Sequence, residues 1–266
     1  MELNKIYNLD CLEFLKQIED KSIDLVVVDP PYNLHRFDYG NKSDFQEQNE
    51  YEEWCKKWMK ELTRVLKDTG SLYCWISRNQ VGFYQQELNK LLKYRNTIVW
   101  YFKNMRPARQ KNYNNKYECC LFYTKTEDYI FNIEKYFMPV DVESALKVRD
   151  NVYKYHKNKQ WAGKMYKRLL LQGKMMVNIW DDINQVYGKN RGRHLNEKPV
   201  KLIERCILMS SNEGDVVLDC FGGSGSTYIA AIKNRRQYIG CELDKGWYSY
   251  IVDRIKSYKN YENFRK

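Results

Sequence analysis

Ile23-Asp24-Leu25-Val26-Val27-Val28-Asp29-Pro30-Pro31-Tyr32 joins an apolar run to a pair of prolines. The apolar run predicts a buried strand, and the prolines end it because they fix their own φ angles and push the preceding residue toward extended backbone. Asp29 and Tyr32 therefore belong to a stiff corner whose carbonyls have few strand partners. Such a corner suits a flat substrate bearing an amino group, such as a nucleobase. An ordinary proline turn with a surface tyrosine is the simpler alternative.

A second informative stretch is Val216-Val217-Leu218-Asp219-Cys220-Phe221-Gly222-Gly223-Ser224-Gly225-Ser226-Thr227. It predicts a strand, a glycine-rich bend and a capped helix, and the next predicted strand ends at Glu242. A glycine-rich turn followed about 20 residues later by an acid is an arrangement that holds a nucleoside, with the acid on the ribose hydroxyls. The glycine spacing does not match the GxGxxG dinucleotide pattern, so NAD is not predicted. A plain tight turn is the alternative.

Together the two stretches resemble the amino-methyltransferases that use S-adenosylmethionine. The order, with the Asp-Pro-Pro-Tyr motif first and the glycine loop last, resembles the group called β among DNA adenine and cytosine amino-methyltransferases. His194-Leu195-Asn196-Glu197-Lys198-Pro199 is similar to that family's His-Pro-Thr-Gln-Lys-Pro stretch, with Leu-Asn-Glu in place of Pro-Thr-Gln. Tyr7-Asn8-Leu9-Asp10-Cys11-Leu12 resembles the turn before its first helix. The resemblance runs through nearly the whole chain and is weakest at residues 126–192.

The resemblance implies a catalytic corner, in which Asp29 and the Pro30 carbonyl accept hydrogen bonds from the substrate amino group and Tyr32 stacks on the base. It also implies Glu242 on the ribose, Asp10 on the cofactor adenine, and Lys198 near the cofactor carboxylate. The predicted catalytic residues are Asp29, Pro30, Pro31 and Tyr32, and the predicted cofactor-binding residues are Asp10, Cys11, Asp29, Lys198, Asp219, Phe221, Gly222, Gly223, Ser224, Gly225 and Glu242. The alternatives are a helix cap for Asp10, a turn brace for Asp219 and a surface lysine for Lys198.

Within this family, Asp before Pro-Pro-Tyr mostly accompanies adenine N6 and Ser mostly accompanies cytosine N4. The expected reaction is therefore site-specific methyl transfer from S-adenosylmethionine to the N6 amino group of a flipped-out adenine, with S-adenosylhomocysteine as product. Cytosine N4, an RNA amino group and a protein amide are alternative acceptors, and a non-catalytic DNA-binding subunit is a further alternative. A homodimer and a cognate restriction endonuclease are the other expected partners. Three histidines without ligand spacing predict that no metal is used.

The formal net charge of +11 favours a polyanionic partner, here double-stranded DNA. Between Ala145 and Lys174 the basic residues are interleaved with tyrosine and tryptophan, and Asp150 is the acid among them. We expect this segment to contact DNA within a target-recognition insertion at 126–192, although a solvated basic helix face is the alternative. The predicted DNA-binding residues are Lys154, Lys157, Lys159, Lys164, Lys167 and Arg168, with Lys103, Arg106 and Arg109 on a second surface.

The alternation of patterns predicts an α/β protein with a Rossmann-like methyltransferase fold, in which helices cover both faces of a mostly parallel, seven-stranded sheet. The expected strands are Lys5–Asn8, Asp24–Asp29, Ser71–Ile76, Thr97–Phe102, Glu118–Thr124, Val216–Cys220 and Tyr238–Glu242. The expected helices are Cys11–Ile18, Tyr51–Leu66, Val81–Lys93, Val200–Ser211, Ser226–Lys233 and Trp247–Ser257. At 266 residues, one domain, 1–266, accommodates them with the insertion.

The mean hydropathy of −0.75 and the lack of a long apolar run predict no membrane span. The amino-terminal residues lack a signal-peptide core, so the expected location is the cytoplasm of a bacterium, or of a phage-infected one. Eight scattered cysteines without a Cys-x-x-Cys pair predict buried, reduced thiols.

Overall fold

The structure is a computed structural model that describes residues 1–33, 47–104, 111, 113–133, 137–138, 141–172, 174–186 and 197–265. It divides into two compact units, one formed by 1–131 and 178–266 and the other by 132–177. The predicted Arg106 and Arg109 and the residues 194–196 lie outside the described residues. Among the described residues, no helix is long and apolar enough to cross a membrane.

In chain order the elements of the first unit up to residue 131 are β1 (Lys5–Tyr7), α1 (Cys11–Leu15), β2 (Ile23–Val28), α2 (Gln48–Val65), β3 (Leu66–Ile76), α3 (Val81–Leu88), β4 (Lys93–Tyr101) and β5 (Tyr117–Thr124). The second unit contains β6 (Phe137–Met138), α4 (Val142–His156), α5 (Lys159–Gln172) and β7 (Lys174–Met175). The first unit then resumes with β8 (Ile179–Trp180), α6 (Val200–Ser210), β9 (Val216–Asp219), α7 (Ser226–Lys233), β10 (Gln237–Cys241) and α8 (Lys245–Arg265).

The first unit is built on a sheet with the strand order β1-β10-β9-β2-β3-β5-β4-β8. Neighbouring strands are parallel except that β5 is antiparallel to both β3 and β4. The chain leaves β2 toward β3 on one side and leaves β9 toward β10 on the other. The carboxyl ends of β2 and β9 therefore meet at a topological switch point, where ligands bind in open α/β sheets.

Strand β2 is buried at all six positions, which requires cover on both faces of the sheet. On one face, Val26 and Val28 pack in a core with the aromatic side chains of α1, α2 and α3, among them Phe14, Trp58 and Tyr84. Helix α6 packs on β2 and β3 and against α7. The α/β class, the Rossmann-like arrangement and the mostly parallel sheet are thus confirmed.

The predicted strand count is wrong by one, because in the described part of the chain eight strands rather than seven form the sheet. The extra strand, β8, has only two residues and pairs in parallel with Val99 and Trp100 of β4. So short a strand is specified by its partner and not by a pattern of its own. The predicted helix Val81–Lys93 is also too long, since α3 ends at Leu88 and β4 already begins at Lys93. The predicted helix Trp247–Ser257 is too short, since α8 spans Lys245–Arg265. The other predicted elements differ from the observed bounds by one to five residues at one or both ends, and α7 agrees fully.

The second unit lies within the predicted insertion 126–192. Its described residues form two packed helices and a short two-stranded antiparallel sheet, β6 and β7, whose strands lie on either side of the helix pair in the chain. The Asp141 side chain caps α4 by accepting a hydrogen bond from the Ser144 N–H. Lys157 ends α4 in the left-handed conformation, and Asn158 then accepts the Trp161 N–H at the start of α5. The linking residues thus set the turn between the two helices.

All eight cysteines are buried with free thiols, which confirms the predicted burial.

Candidate active site

The Asp29-Pro30-Pro31-Tyr32 corner follows β2 and is held by side chains beneath it. Tyr51 donates a hydrogen bond from its hydroxyl to the Pro31 carbonyl at 2.7 Å, and the Gln80 amide donates to the Tyr32 carbonyl at 2.6 Å. The Tyr51 hydroxyl is in turn 2.8 Å from that of Tyr84. Since two of its carbonyls are fixed in this way, the corner is a rigid platform. No hydrogen bond between described residues ends on the Pro30 carbonyl.

Both carboxylate oxygens of Asp29 have a partner. The Tyr32 hydroxyl donates to Oδ1 at 2.5 Å, and the Lys198 ammonium donates to Oδ2 at 2.6 Å. Lys198 Nζ also lies 3.0 Å from Oε2 of Glu118 and donates to the Tyr32 hydroxyl oxygen at 3.1 Å. The side chain of Lys198 is only 6% exposed. Burial opposes the charged form, but the Asp29 and Glu118 carboxylates outweigh it and raise the pKa of Lys198 above its usual value.

The glycine-rich loop after β9 is hydrogen-bonded to the residue that follows β10. Gly223 and Gly225 have positive φ angles of 51° and 82°, which explains the glycine at these turns. The Gly223 N–H donates to Oε2 of Glu242 at 2.8 Å, while the Asp244 N–H donates to Oε1 at 2.8 Å. Burial raises the pKa of Glu242. The carboxylate of Glu242 is thereby oriented beside the loop with lone pairs left for further donors.

Asp219 ends β9 and is buried beneath the same loop. Its Oδ1 accepts the Phe221 N–H at 3.0 Å, so it does brace the turn. Burial, together with the carboxylates of Asp29 and Glu242, raises the pKa of Asp219 to about 8, although hydrogen bonds from Thr227 and the Phe221 N–H act in the other direction. The carboxyl group is therefore largely protonated at neutral pH, and a cation placed nearby would favour its ionised form.

A cavity of about 420 Å³ joins the corner and the loop at the switch point. Among the described residues that line it, the acidic ones are Asp10, Asp29, Asp219, Glu242 and Asp244, and the basic one is Lys198. Trp54, Phe221 and Trp247 add aromatic surface. The volume lies in the range of small-molecule sites, and the charge balance favours a ligand with a net positive charge.

S-adenosylmethionine fits this lining by its chemistry, because its sulfonium and ammonium groups outnumber its one carboxylate. The predicted catalytic and cofactor-binding residues are all brought together here except Gly225, which is not among the lining residues and packs under Ile251. Asp10 both lines the cavity and caps α1, since its Oδ1 accepts the Leu12 N–H at 2.8 Å. The alternative that Lys198 is a surface lysine is wrong, because the side chain is buried at the corner.

Reasoning from motifs missed several residues of the site. Tyr51, Trp54 and Gln80 lie on or before helices α2 and α3, where aromatic and amide side chains are common and carry no motif. Glu118 is the more informative omission. Strand β5 runs antiparallel to β3, so its amino end reaches the same edge of the sheet as the carboxyl ends of β2 and β3. The sequence signal that could have identified Glu118 is an acidic residue at the start of a strand, provided that the strand was expected to run antiparallel to its neighbours.

The predicted DNA-binding residues fall into separate groups. The predicted residues of the second unit, Lys154, Lys157, Lys159, Lys164, Lys167 and Arg168, are all exposed. Lys159 Nζ lies 5.6 Å from the ring centre of Tyr153, and Arg149 lies 5.6 Å from that of Tyr166. In the first unit, Lys103 forms an ion pair with Asp181 at 2.7 Å.

The Rossmann-like sheet with an Asp-Pro-Pro-Tyr corner and a glycine-rich loop at its switch point defines an S-adenosylmethionine-dependent amino-methyltransferase. Residues 23–253 match the family described as DNA methylase, and the chain belongs to that family.

Two curated relatives and one solved structure illustrate the similarity. The type II methyltransferase M.BamHI of Bacillus amyloliquefaciens is 34% identical over 260 residues, which cover 96% of this chain and 58% of the relative. This chain thus spans little more than half of that relative's length. The DNA adenine methyltransferase YhdJ of Escherichia coli (strain K12) is 30% identical over 98% of this chain and 85% of its own. The structure of the PvuII DNA methyltransferase, described as cytosine-N4-specific, superposes with a TM-score of 0.67 at 19% identity and covers 98% of this chain and 92% of its own, which shows the shared fold.

Proposed function

We propose that this chain transfers a methyl group from S-adenosylmethionine to the N6 amino group of adenine in double-stranded DNA. The observation that carries the proposal is the pair of acceptors at the corner, the Asp29 carboxylate and the Pro30 carbonyl, beside an acidic cavity. Two acceptors on a rigid backbone match the two N–H groups of an exocyclic amine. Family membership supports DNA as the substrate.

When bound, S-adenosylmethionine supplies a methyl group activated by its sulfonium. An exocyclic amino nitrogen is a weak nucleophile because its lone pair is delocalised into the ring. By accepting its N–H groups, Asp29 and Pro30 favour the pyramidal nitrogen whose lone pair is available for attack. The Asp29 carboxylate also stabilises the positive charge that this nitrogen gains as the N–C bond forms and the S–CH3 bond breaks. An amino proton then passes to this carboxylate or to water, which leaves a neutral methylated amine and S-adenosylhomocysteine. Positioning supplies most of the remaining rate, and no covalent intermediate on the protein is needed.

The base has to leave the duplex before it can reach the corner, at a cost of a few kcal/mol. Stacking on Tyr32 would return roughly 1–3 kcal/mol of that cost. Tyr32 is held for this step through its backbone, because the Gln80 amide donates to its carbonyl, and before substrate arrives its hydroxyl is also bound to Asp29.

The cofactor would be held by groups at both sides of the cavity. Glu242 is proposed to accept the ribose hydroxyls, and Asp10 the adenine amino group beside Cys11. The Phe221-to-Gly225 backbone would surround the methionine part, where Asp219 can pair with the ammonium group. The buried position of Lys198 on Asp29 argues that its main partner is the catalytic corner.

Adenine is preferred over cytosine because Asp precedes Pro-Pro-Tyr. The adenine-methylating relative YhdJ supports this choice, whereas the PvuII structure keeps N4 of cytosine as the second candidate. The corner chemistry serves both bases equally, since each presents an amino group.

The test is methyl transfer from labelled S-adenosylmethionine to duplex DNA, followed by nucleoside digestion and mass spectrometry. N6-methyladenine is the expected product. N4-methylcytosine would preserve the mechanism and overturn the base. Cofactor binding without DNA methylation would overturn the substrate, and RNA and peptides would then be tried in its place.

We also propose that the exposed basic residues of the second unit contact DNA phosphates, because they are interleaved with aromatic side chains and face solvent. A cognate restriction endonuclease is a further proposal, supported by the type II methyltransferases among the relatives. A homodimer is a proposal that rests on the family resemblance alone. Sedimentation of the protein with and without DNA would test the dimer.

A further inference from the structure

We infer that Glu118 is a positioning residue that holds Lys198 against Asp29 and offsets its charge, so that the catalytic corner stays anionic. This inference rests on the proposed function of the corner. Glu118 is not one of the described residues that line the cavity, and it belongs to none of the motifs. Its role would be exerted entirely through Lys198.

The geometry places Lys198 between two carboxylates. Nζ lies 2.6 Å from Oδ2 of Asp29 and 3.0 Å from Oε2 of Glu118, and the lysine side chain is 6% exposed. A buried ammonium requires such partners, because an unpaired charge in the interior is costly. The β4–β5 register sets Glu118 opposite Trp100, a fully buried residue, so the strand that carries Glu118 is firmly placed.

The charge balance explains why one carboxylate would not be enough. Asp29 and Lys198 together are neutral, and a neutral corner would not stabilise the positive charge that develops on the substrate nitrogen. With Glu118 the group carries a net negative charge, as Asp29 would by itself. Lys198 can then fix the orientation of Oδ2 without removing the electrostatic contribution of the corner.

The same charge makes a prediction about the cofactor. S-adenosylmethionine carries a sulfonium cation, whereas S-adenosylhomocysteine has a neutral thioether at that position and otherwise the same groups. An anionic corner therefore favours S-adenosylmethionine over S-adenosylhomocysteine. The ratio of the two dissociation constants reports the charge of the corner and needs no catalysis.

The experiment compares the full-length wild type with Glu118→Gln, the double variant Glu118→Gln/Lys198→Gln, and the control Glu87→Gln. Glu87, on α3, is a partly buried glutamate whose side chain is 11% exposed, against 25% for Glu118, and it pairs with Lys90 just after the helix. Both cofactor forms are titrated by calorimetry, and single-turnover methyl transfer to DNA is measured at saturating cofactor.

We expect Glu118→Gln to slow transfer roughly 10- to 100-fold, in line with the cost of a misplaced catalytic group, and to lower the preference for S-adenosylmethionine several-fold. In the double variant the Asp29 carboxylate is the remaining charge of the group, so the preference for S-adenosylmethionine over S-adenosylhomocysteine should return. Transfer should stay slow because Lys198 no longer orients Asp29. Glu87→Gln should match the wild type in both respects. A purely structural role for Glu118 predicts no recovery in the double variant, and that result would overturn the inference.

A Glu118→Gln protein that behaves like Glu87→Gln would also overturn it. If Glu118→Gln fails to fold, Glu118→Asp replaces it: the charge is kept but the reach is shorter, so transfer should slow while the cofactor preference is retained. Loss of the preference in Glu118→Asp would contradict the charge role. If the wild type transfers no methyl group to DNA, the proposed function fails, and the cofactor preference still decides the role of Glu118.

Discussion

Asp29 is engaged on both oxygens before any substrate arrives, by Tyr32 on one and by Lys198 on the other. The Lys198 side chain is buried, and its Nζ also lies 3.0 Å from a carboxylate oxygen of Glu118, so it is held at the corner. The tyrosine hydroxyl is the partner that can yield, because it can turn its hydrogen bond elsewhere as the substrate amino group approaches Oδ1. Tyr32 thus keeps the carboxylate oriented in the absence of substrate, which reduces the reorganisation needed at the moment of reaction.

Replacing Asp29 by Asn tests the corner with little change of shape. The variant loses the negative charge and one acceptor, and we expect the transfer rate to fall by about 10²–10³-fold or more. Affinity for S-adenosylhomocysteine, measured by calorimetry, serves as the control and should change little. Near-normal turnover by Asp29→Asn would show that the corner is not the catalytic group.

The raised pKa of the Asp219 carboxyl predicts that the stability of the folded chain depends on pH. Its pKa is about 8 in the folded chain, against about 3.9 for an unfolded aspartate. Below about pH 4 the carboxyl is protonated in both states. As the pH rises toward 8, the unfolded chain ionises first, so the folded state loses stability through this window.

The variant Asp219→Asn keeps the acceptor for the Phe221 N–H but cannot ionise. Urea unfolding at pH 5 and pH 8 should show the variant gaining stability relative to the wild type at the higher pH, by on the order of 2–4 kcal/mol. If the difference in unfolding free energy between the variant and the wild type were the same at pH 5 and pH 8, the raised pKa of Asp219 would be contradicted.

At the scale of elements, the sequence was sufficient to locate a helix or strand wherever that element has a recognisable pattern of apolar or helix-starting residues. The mostly apolar run of β2 and the start of α7 at Ser226 were placed closely, because burial patterns and helix start signals are local. The expected side-chain cap of α7 is wrong, since the helix begins after Gly225 in the left-handed conformation and no side chain caps it. Strand β8 and the position of Glu118 depend on which strand pairs with which, and in which direction. Such pairing joins residues far apart in the chain and leaves no signal in a short stretch of sequence. The contact of Lys198 with Glu118 could therefore not be inferred from the sequence, whereas its neighbour Asp29 lies in a motif.

Gly240 in the middle of β10 provides an element-scale prediction. A Cβ there would lie 2.1 Å from the Asp219 carbonyl oxygen and 2.2 Å from the Tyr228 hydroxyl, so the loop-bearing strand β9 would have to move. We expect Gly240→Ala to destabilise the protein by about 3 kcal/mol or more and to weaken cofactor binding.

Gly82→Ala is the matched control for that change. Gly82 lies in α3, and a Cβ there meets nothing within 4 Å. Since alanine is the better helix former, this variant should be more stable than the wild type, by up to about 1 kcal/mol. Chemical unfolding of both variants checks the pair, and equal stabilities would contradict the close approach of β9 and β10.

At the scale of the whole molecule, two opposite charge distributions coexist. The chain carries a formal charge of +11, whereas five of the six charged residues among the described residues that line its cavity are acidic. The acidic lining favours a cationic cofactor and disfavours direct entry of phosphates, while the exposed basic residues of the second unit favour a polyanion. Under the proposed function, the first unit would bind the cationic cofactor and the second unit would contact the DNA.

The salt dependence of DNA binding tests this division of roles. Each phosphate contact contributes about 0.9 to the slope of log K against log salt concentration, because a condensed counterion is released. The triple variant Lys164→Gln/Lys167→Gln/Arg168→Gln removes three exposed cations of α5. If these side chains contact phosphates, the slope should become shallower by up to about 3, and the affinity at low salt should fall for every DNA sequence alike.

The matched control removes the same charge from exposed positions of α2 and α8, with the substitutions Lys57→Gln, Lys60→Gln and Lys256→Gln. Equal slopes for the two triple variants would mean that net charge alone attracts DNA, and that the second unit does not bind it directly. A change confined to the α5 variant, with methyl transfer restored at high enzyme concentration, would place the DNA contact in that helix and leave the catalytic corner intact.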